Sequence, residues 1–398
     1  MKINTIENAA EKREPKFLDA KKITFIVLAL VVMVGLVVIT CVFVLKDFSF
    51  SGLFKSIGAT WGVANGHTIV ICMIICLLMF FFIKFFQISV PYMVRLKKLG
   101  IKVPLKESIL YYLTTAFLSA ISPSILLTEP YTMFWLRTRG ITTAQATALV
   151  WINEFMYHTI LVVITLPAFI YFATQFNSII QYDTAQGTTV VVLACVGVGI
   201  DLLMFAFYLF SGFSKKVHYY LSRMFNRTKQ LMRLKYHTKA QTYETYINKA
   251  VLFNDAKLLL KNTKQNLVVA ACFIISTLSL FFVMYAALAL VNAGGNELFS
   301  FIQLLKVIAT VSVVTTANRY LPIPGGEGTM QMQMQIMLIY QHSKDADVKS
   351  WTTGIDNGIF VWRTFTSYLP AIIGVSGFII YLVSFTKAAK KKQTFLQK

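Results

Sequence analysis

The sequence predicts an all-α, polytopic integral membrane protein, an inverted repeat of helix, broken re-entrant hairpin and helix, with about six full transmembrane crossings plus two hairpins. Three observations predict it. Apolar residues make up 56% of the 398-residue chain and charged residues only 14%, more apolar surface than one compact soluble core buries, which excludes an ordinary soluble enzyme. The apolar residues also lie in long runs. Ile23 to Leu45, Thr189 to Phe210 interrupted only by Asp201, and Leu267 to Val291 each reach the roughly 18 residues that a membrane helix needs. Finally, the basic residues sort to one side. Of 38 Lys and Arg, 30 fall in five patches: 1–22, 91–107, Arg137 with Arg139, 214–265 and 386–398. These patches mark the cytoplasmic face of a multi-pass protein of the cell membrane with both termini cytoplasmic. Lys84, Lys306, Arg319 and Arg363 lie in apolar segments, leaving Lys46, Lys55, Lys344 and Lys349 for the other side.

The formal charge of +21 would suggest nucleic acid in a soluble chain. Here the basic patches flank membrane helices, so they are expected to attract anionic lipid, and no nucleic acid partner is expected. Cys41, Cys72, Cys76, Cys195 and Cys272 all fall in apolar runs without CxxC or histidine spacing, and read as packing residues rather than metal ligands or a redox pair. The first apolar run is followed by Lys46-Asp47 rather than a small-residue cleavage site, so it reads as a retained helix, not a signal peptide.

The orientation then dictates the elements in order. After the cytoplasmic N-terminus (1–22), Ile23–Leu45 crosses outward and opens a segment, 23–66, that ends in an external loop. The first repeat (67–213) starts with a return crossing at about His67–Val90. Residues 108–136 are apolar yet begin and end on the basic side, which makes them a hairpin, broken at Ser122-Pro123-Ser124 and Thr128-Glu129-Pro130. Proline removes a backbone donor and disfavours helix in the residue before it. Such irregular backbone is tolerated at membrane depth only inside protein or beside a water-filled cavity. Ala144–Phe172 crosses outward and Thr188–Phe210 returns. The basic segment 214–266 follows, read over 214–265 as amphipathic helices on the cytoplasmic surface that attract anionic lipid. In the second repeat (267–386), Leu267–Val291 crosses outward, and 299–340 is a hairpin entered from outside, broken at Leu321-Pro322-Ile323-Pro324-Gly325-Gly326-Glu327-Gly328. Thr353–Phe385 crosses back to the basic tail, 387–398. The alternative is that one hairpin arm spans fully. Paired broken segments at corresponding positions of inverted halves are the pattern of transporters whose substrate lies between the repeats.

The candidate substrate-binding residues follow from that pattern. Half-helices that start inside the membrane aim backbone donors and a positive dipole end at an anionic group, and lipid phosphate fits. In the first hairpin the candidates are Ser122, Ser124, Thr128 and Glu129, with Pro130 expected at the first helical position. In the second they are Arg319, Gly325, Gly326, Glu327 and Gln331, with a helix expected to start at Gly328-Thr329 and the glutamines of Met330–Gln335 on polar or cavity-facing sides. GGEG lacks the GK(S/T) ending of a nucleotide loop, and its glycines serve either a tight turn or ligand approach. Ionisable groups at membrane depth face a cavity or a partner. Glu154 and Arg363 each lie ten residues into matching helices, so the repeat predicts that they meet as an ion pair or share a substrate contact. His158 and Asp201 read as packing or proton-handling residues. No catalytic residue, metal site or cofactor is expected.

The same residues carry a resemblance. Phe117 to His158, FLSAISPSILLTEPYTMFWLRTRGITTAQATALVWINEFMYH, is similar to the S-x-x-x-P and G-(E/Q)-P elements of the lysylphosphatidylglycerol synthase transmembrane family, also called the flippase-like domain family. Pro322 to Gln331, PIPGGEGTMQ, resembles its P-x-P-G-G-x-G-x-x-E element, and Trp362-Arg363 with Tyr368-Leu369-Pro370 resembles its downstream YR and Y-x-LP. The resemblance covers about 67–385; Gln331 stands where the family usually has Glu, and the glycine common before Glu129-Pro130 is missing. It implies a lipid translocase (flippase) moving an anionic or aminoacylated phospholipid such as lysyl-phosphatidylglycerol between leaflets. The family's C-terminal soluble aminoacyltransferase domain is not expected, because the chain ends thirteen residues past the last crossing, so synthase activity is not implied. A carrier of polyprenyl-phosphate or lipid-linked sugars is the alternative within transport. The membrane subunit of a two-chain lipid-modifying enzyme, docking a soluble partner on 214–265, is the alternative outside it. Self-association is left open.

Overall fold

The computed structural model describes residues 20–46, 48–63, 65–122, 127–213, 261–291, 300–319, 326–342 and 348–396, with isolated positions between 219 and 241 and at 321 and 323. All regular structure among them is helical. The amphipathic helices expected over 214–265 lie mostly outside the described residues, as do Ser124 and Gly325.

Helix α1 (Ala20–Phe43) is followed by α2 (Phe50–Gly62), a helix within the stretch expected to be external loop. Ser49 caps α2 by accepting the Gly52 N–H. Helix α3 (Gly66–Ile88) gives way at Ser89 to α4 (Val90–Lys98), where Pro91 in the first turn lacks the donor that would continue α3. The first hairpin is α5 (Leu105–Ile121) and α6 (Thr128–Arg137). Then come α7 (Thr143–Ala173), opened by a reciprocal cap between Thr142 and Gln145, the short α8 (Phe176–Tyr182) and α9 (Thr184–Phe213). The second half holds α10 (Thr263–Leu290), the hairpin α11 (Phe301–Asn318) and α12 (Thr329–His342), then α13 (Val348–Arg363), a π-helical stretch Thr364–Tyr368, and α14 (Leu369–Leu396). The π-helical stretch ends two residues before Pro370, which has no N–H to return to the carbonyl of Thr366.

Among the described residues, six stretches are long and apolar enough to cross a membrane: Gly66–Lys98, Gln145–Ala173, Thr184–Phe210, Thr263–Leu290, Phe301–Asn318 and Thr353–Tyr381. Five of them are expected crossings. Phe301–Asn318, expected as a re-entrant arm, meets the alternative of a spanning arm by length and composition: its 18 residues rise about 27 Å. Helix α1 adds 24 residues over the first expected crossing, with Val27, Val31, Val34 and Val38 exposed as a lipid-facing side chain would be. Pro130 sits third in α6 rather than first, still inside the turn whose backbone donors are unused by the helix.

The same packing pairs recur in both halves. The opening helices α3 and α10 pack on each other. The leading arm of each hairpin packs on the closing helix of the other half, α5 on α14 and α11 on α7, while the trailing arms α6 and α12 pack on α7 and α13. Thr165 and Thr316 join α7 to α11 by a 3.2 Å hydroxyl contact. One apolar core, with Tyr111, Leu118, Tyr131, Trp135 and Leu149, surrounds the first hairpin. A second, with Phe281, Val311, Val314, Met334 and Trp362, surrounds the other. Exchanging the leading arms between halves brings the two hairpin breaks face to face at the centre.

Candidate functional site between the two hairpin breaks

A cavity of about 330 Å³ lies between the breaks. The first hairpin contributes Ser122, Thr128 and Glu129, and α7 contributes Asn153, Glu154 and Tyr157. Asn318, Arg319 and Gly326 come from the second break, and Lys84 and Gln87 from α3. A neighbouring cavity of about 260 Å³ is lined by Arg363, Thr366 and Pro370 on one side and Tyr112 and Ala116 on the other. Lys84, Ile88, Ser119 and Met330 line both.

The breaks form for local reasons. At the first, the Ser122 hydroxyl accepts the Leu127 N–H at 3.3 Å and so closes the loop back on its own start. At the second, Gly326 (φ 68°) and Gly328 (φ 82°) adopt left-handed backbone that costs other residues about 1–2 kcal/mol. The turn therefore accounts for the glycine at Gly326, which also lines the cavity. Helix α12 starts at Thr329 as expected. Its N-terminus is less open to a ligand than the sequence suggests, because the Gly328 N–H is given to Gln331 Oε1 at 2.9 Å.

Charges are arranged in two separate groups. Arg319 approaches Glu154 at 3.6 Å and lies over the Tyr157 ring at 4.4 Å. Glu154 is 4.0 Å from His158, whose other ring nitrogen shares a 3.0 Å hydrogen bond with Asp201. A polar path therefore runs from α9 through α7 to the second break. Glu129, in the first turn of α6, faces the same cavity with no ion-pair or hydrogen-bond partner among the described residues. In the other group, Arg363 is ion-paired with Glu327, both only 3% exposed. Glu327 also accepts from Tyr368 at 3.0 Å and from Gln331.

The predicted ion pair between Glu154 and Arg363 is therefore corrected: Glu154 faces Arg319, and Arg363 faces Glu327. The second break inserts between α7 and α13 and carries one charge of each sign, Arg319 and Glu327, so each helix charge is met by the break instead of by the other helix. The glutamines of α12 take the polar option. Gln331 binds Glu327, Gln333 accepts from Asn318 and Gln335 donates to Asp356, and none of the three lines either cavity.

Of the expected site residues, Ser122, Thr128, Glu129, Glu154, Arg319 and Gly326 come together at the larger cavity, Arg363 lines the smaller one, and Glu327 and Gln331 lie buried beside it. Sequence reasoning missed Lys84, Gln87 and Asn318. The signal for Lys84 was present, a single charge within the otherwise apolar run before Arg95, but nothing in the sequence named its neighbours. Replacing Asp201 by alanine leaves the buried His158 nitrogen without its partner, which is expected to cost about 1–3 kcal/mol and lower the thermal unfolding midpoint in detergent.

The comparisons with known proteins agree with this setting. The family model described as lysylphosphatidylglycerol synthase TM region matches residues 25–374. The chain is 23% identical over 283 residues to the uncharacterized protein MG306 homolog of Mycoplasma pneumoniae, covering 70% of both chains. It is 25% identical over 300 residues to the uncharacterized protein MG306 of Mycoplasma genitalium, covering 72% of both. No solved structure matches.

Proposed function

The chain belongs to the lysylphosphatidylglycerol synthase transmembrane-region family, and from that premise we propose that it is a lipid translocase, carrying an anionic or aminoacylated phospholipid between the leaflets of the cell membrane. One observation carries the reading: both hairpin breaks, which contain the irregular backbone of the two halves, border one cavity that also holds Lys84, Arg319, Glu129 and Glu154. Cations there suit the phosphate of a headgroup, and carboxylates suit the ammonium of an aminoacyl group. In this reading the headgroup enters the cavity of about 330 Å³ while the acyl chains stay in the bilayer. Alternating exposure then follows from rocking the halves about the packed α3–α10 pair.

The test is reconstitution of the purified chain in liposomes with fluorescent or aminoacylated phosphatidylglycerol in one leaflet. Movement of the probe between leaflets is expected, with Arg319→Ala slowing it at least about tenfold through loss of the cation that guides the headgroup and pairs with Glu154. If the wild-type chain moves no anionic phospholipid, the phospholipid reading is wrong. Movement of a polyprenyl-phosphate probe instead would assign the cavity to that carrier class.

A further inference from the structure

We infer that Lys84 is the residue that binds the phosphate oxyanion of the lipid headgroup, at the point where the larger and smaller cavities meet. The inference rests on the translocase reading and deepens it by naming the anion site.

Three observations support it. Lys84 lines both cavities, so a ligand held there borders both without leaving its cation. Its ammonium lies over the Phe80 ring at 5.7 Å but has no carboxylate paired with it among the described residues, Glu129 of the same cavity included. The carboxylates of Glu154 and Glu327 are taken by Arg319 and Arg363. Third, the ammonium is aimed by a fixed neutral group. Its Nζ donates to Gln87 Oε1 at 2.6 Å, and the same oxygen accepts the Ser276 hydroxyl of α10 at 2.7 Å, which ties the pair to the neighbouring helix. An ammonium carries three donors, and Gln87 satisfies one. A charge kept at membrane depth without a counter-charge is costly unless a ligand supplies one. Ser119 on α5 also lines both cavities and offers a hydroxyl to the same anion. Arg319 and Arg363 flank the position on either side, each held by its own carboxylate, and so guide an anion rather than hold it.

The experiment measures equilibrium binding by the purified full chain in nanodiscs, with fluorescent phosphatidylglycerol as probe. Dioctanoyl-phosphatidylglycerol, dioctanoylglycerol and inorganic phosphate serve as competitors. Lys84→Met is the informative variant, because removing a charge with no paired carboxylate from the membrane should leave the thermal midpoint of the ligand-free chain unchanged or higher. The expected result is that Lys84→Met weakens phosphatidylglycerol binding at least about tenfold while Lys84→Arg stays within about threefold of wild type. Dioctanoylglycerol, which lacks the phosphate, should compete poorly with both. The thermal shift that phosphatidylglycerol gives the wild-type chain should be absent in Lys84→Met. Wild-type affinity in Lys84→Met overturns the proposal and leaves the translocase reading standing. Binding that depends on Lys84 without any transport supports the anion site and overturns the translocase. A wild-type chain that neither binds nor moves the lipid overturns both, and inorganic phosphate competing as well as the lipid overturns the assignment to a headgroup.

Discussion

Glu327→Ala is expected to be among the most damaging single substitutions in the chain. It leaves the Arg363 guanidinium, 3% exposed, without the carboxylate that balances its charge. Removing one partner of a buried ion pair typically costs about 3–5 kcal/mol, far more than the pair contributes against an apolar substitute. Tyr368 and Gln331 lose their shared acceptor at the same time. The expected observation is a large fall in the thermal unfolding midpoint of the detergent-solubilised chain. Glu327→Gln should fall less, since its amide oxygen still accepts from the donors around it. The charge-swapped chain, Glu327→Arg with Arg363→Glu, should recover part of the loss, whereas Glu154→Arg with Arg363→Glu should recover none. Recovery in the second combination but not the first would show that the ion pair is wrongly assigned.

Gly374→Val is expected to separate the two halves where α14 meets α5. A Cβ at Gly374 would stand 2.6 Å from the Leu113 carbonyl oxygen and 2.9 Å from the Phe117 backbone nitrogen, atoms that cannot turn aside as a side chain end can. Close approach through small residues is how membrane helices gain packing that lipid does not provide. Overpacking a filled contact costs about 1–3 kcal/mol, and a backbone clash lies at or above the upper end of that range. Gly35→Ala on α1, where a Cβ meets nothing within 4 Å, is the control and should leave stability unchanged or slightly higher. Both variants are compared by thermal unfolding in detergent. Equal midpoints for the two would mean that the α5–α14 contact yields more readily than its geometry implies.

The legible part of this protein is the part set by one-dimensional chemistry. Long apolar runs reported helices, since a chain in hydrocarbon must satisfy its backbone internally. Proline and glycine reported the breaks, because Pro123 and Pro130 lack donors and Gly326 and Gly328 take left-handed backbone. Six of the expected site residues border one cavity. The missed part depends on neighbours. Lys84 is visible as an intramembrane charge, but its position between two cavities depends on how α3 packs against α10 and α5. Arg363 is equally visible, and its partner was misassigned because matching helix positions do not reveal that the second break inserts between the helices.

By itself, the sequence determined an all-helical membrane protein with two broken hairpins, charges within apolar segments and basic patches between them, because hydropathy, backbone donors and charge act locally along the chain. Only the tertiary structure decided which charges meet. Pairing at membrane depth goes to whichever opposite charge lies within a few ångströms, and that distance is set by which hairpin arm crosses to the other half.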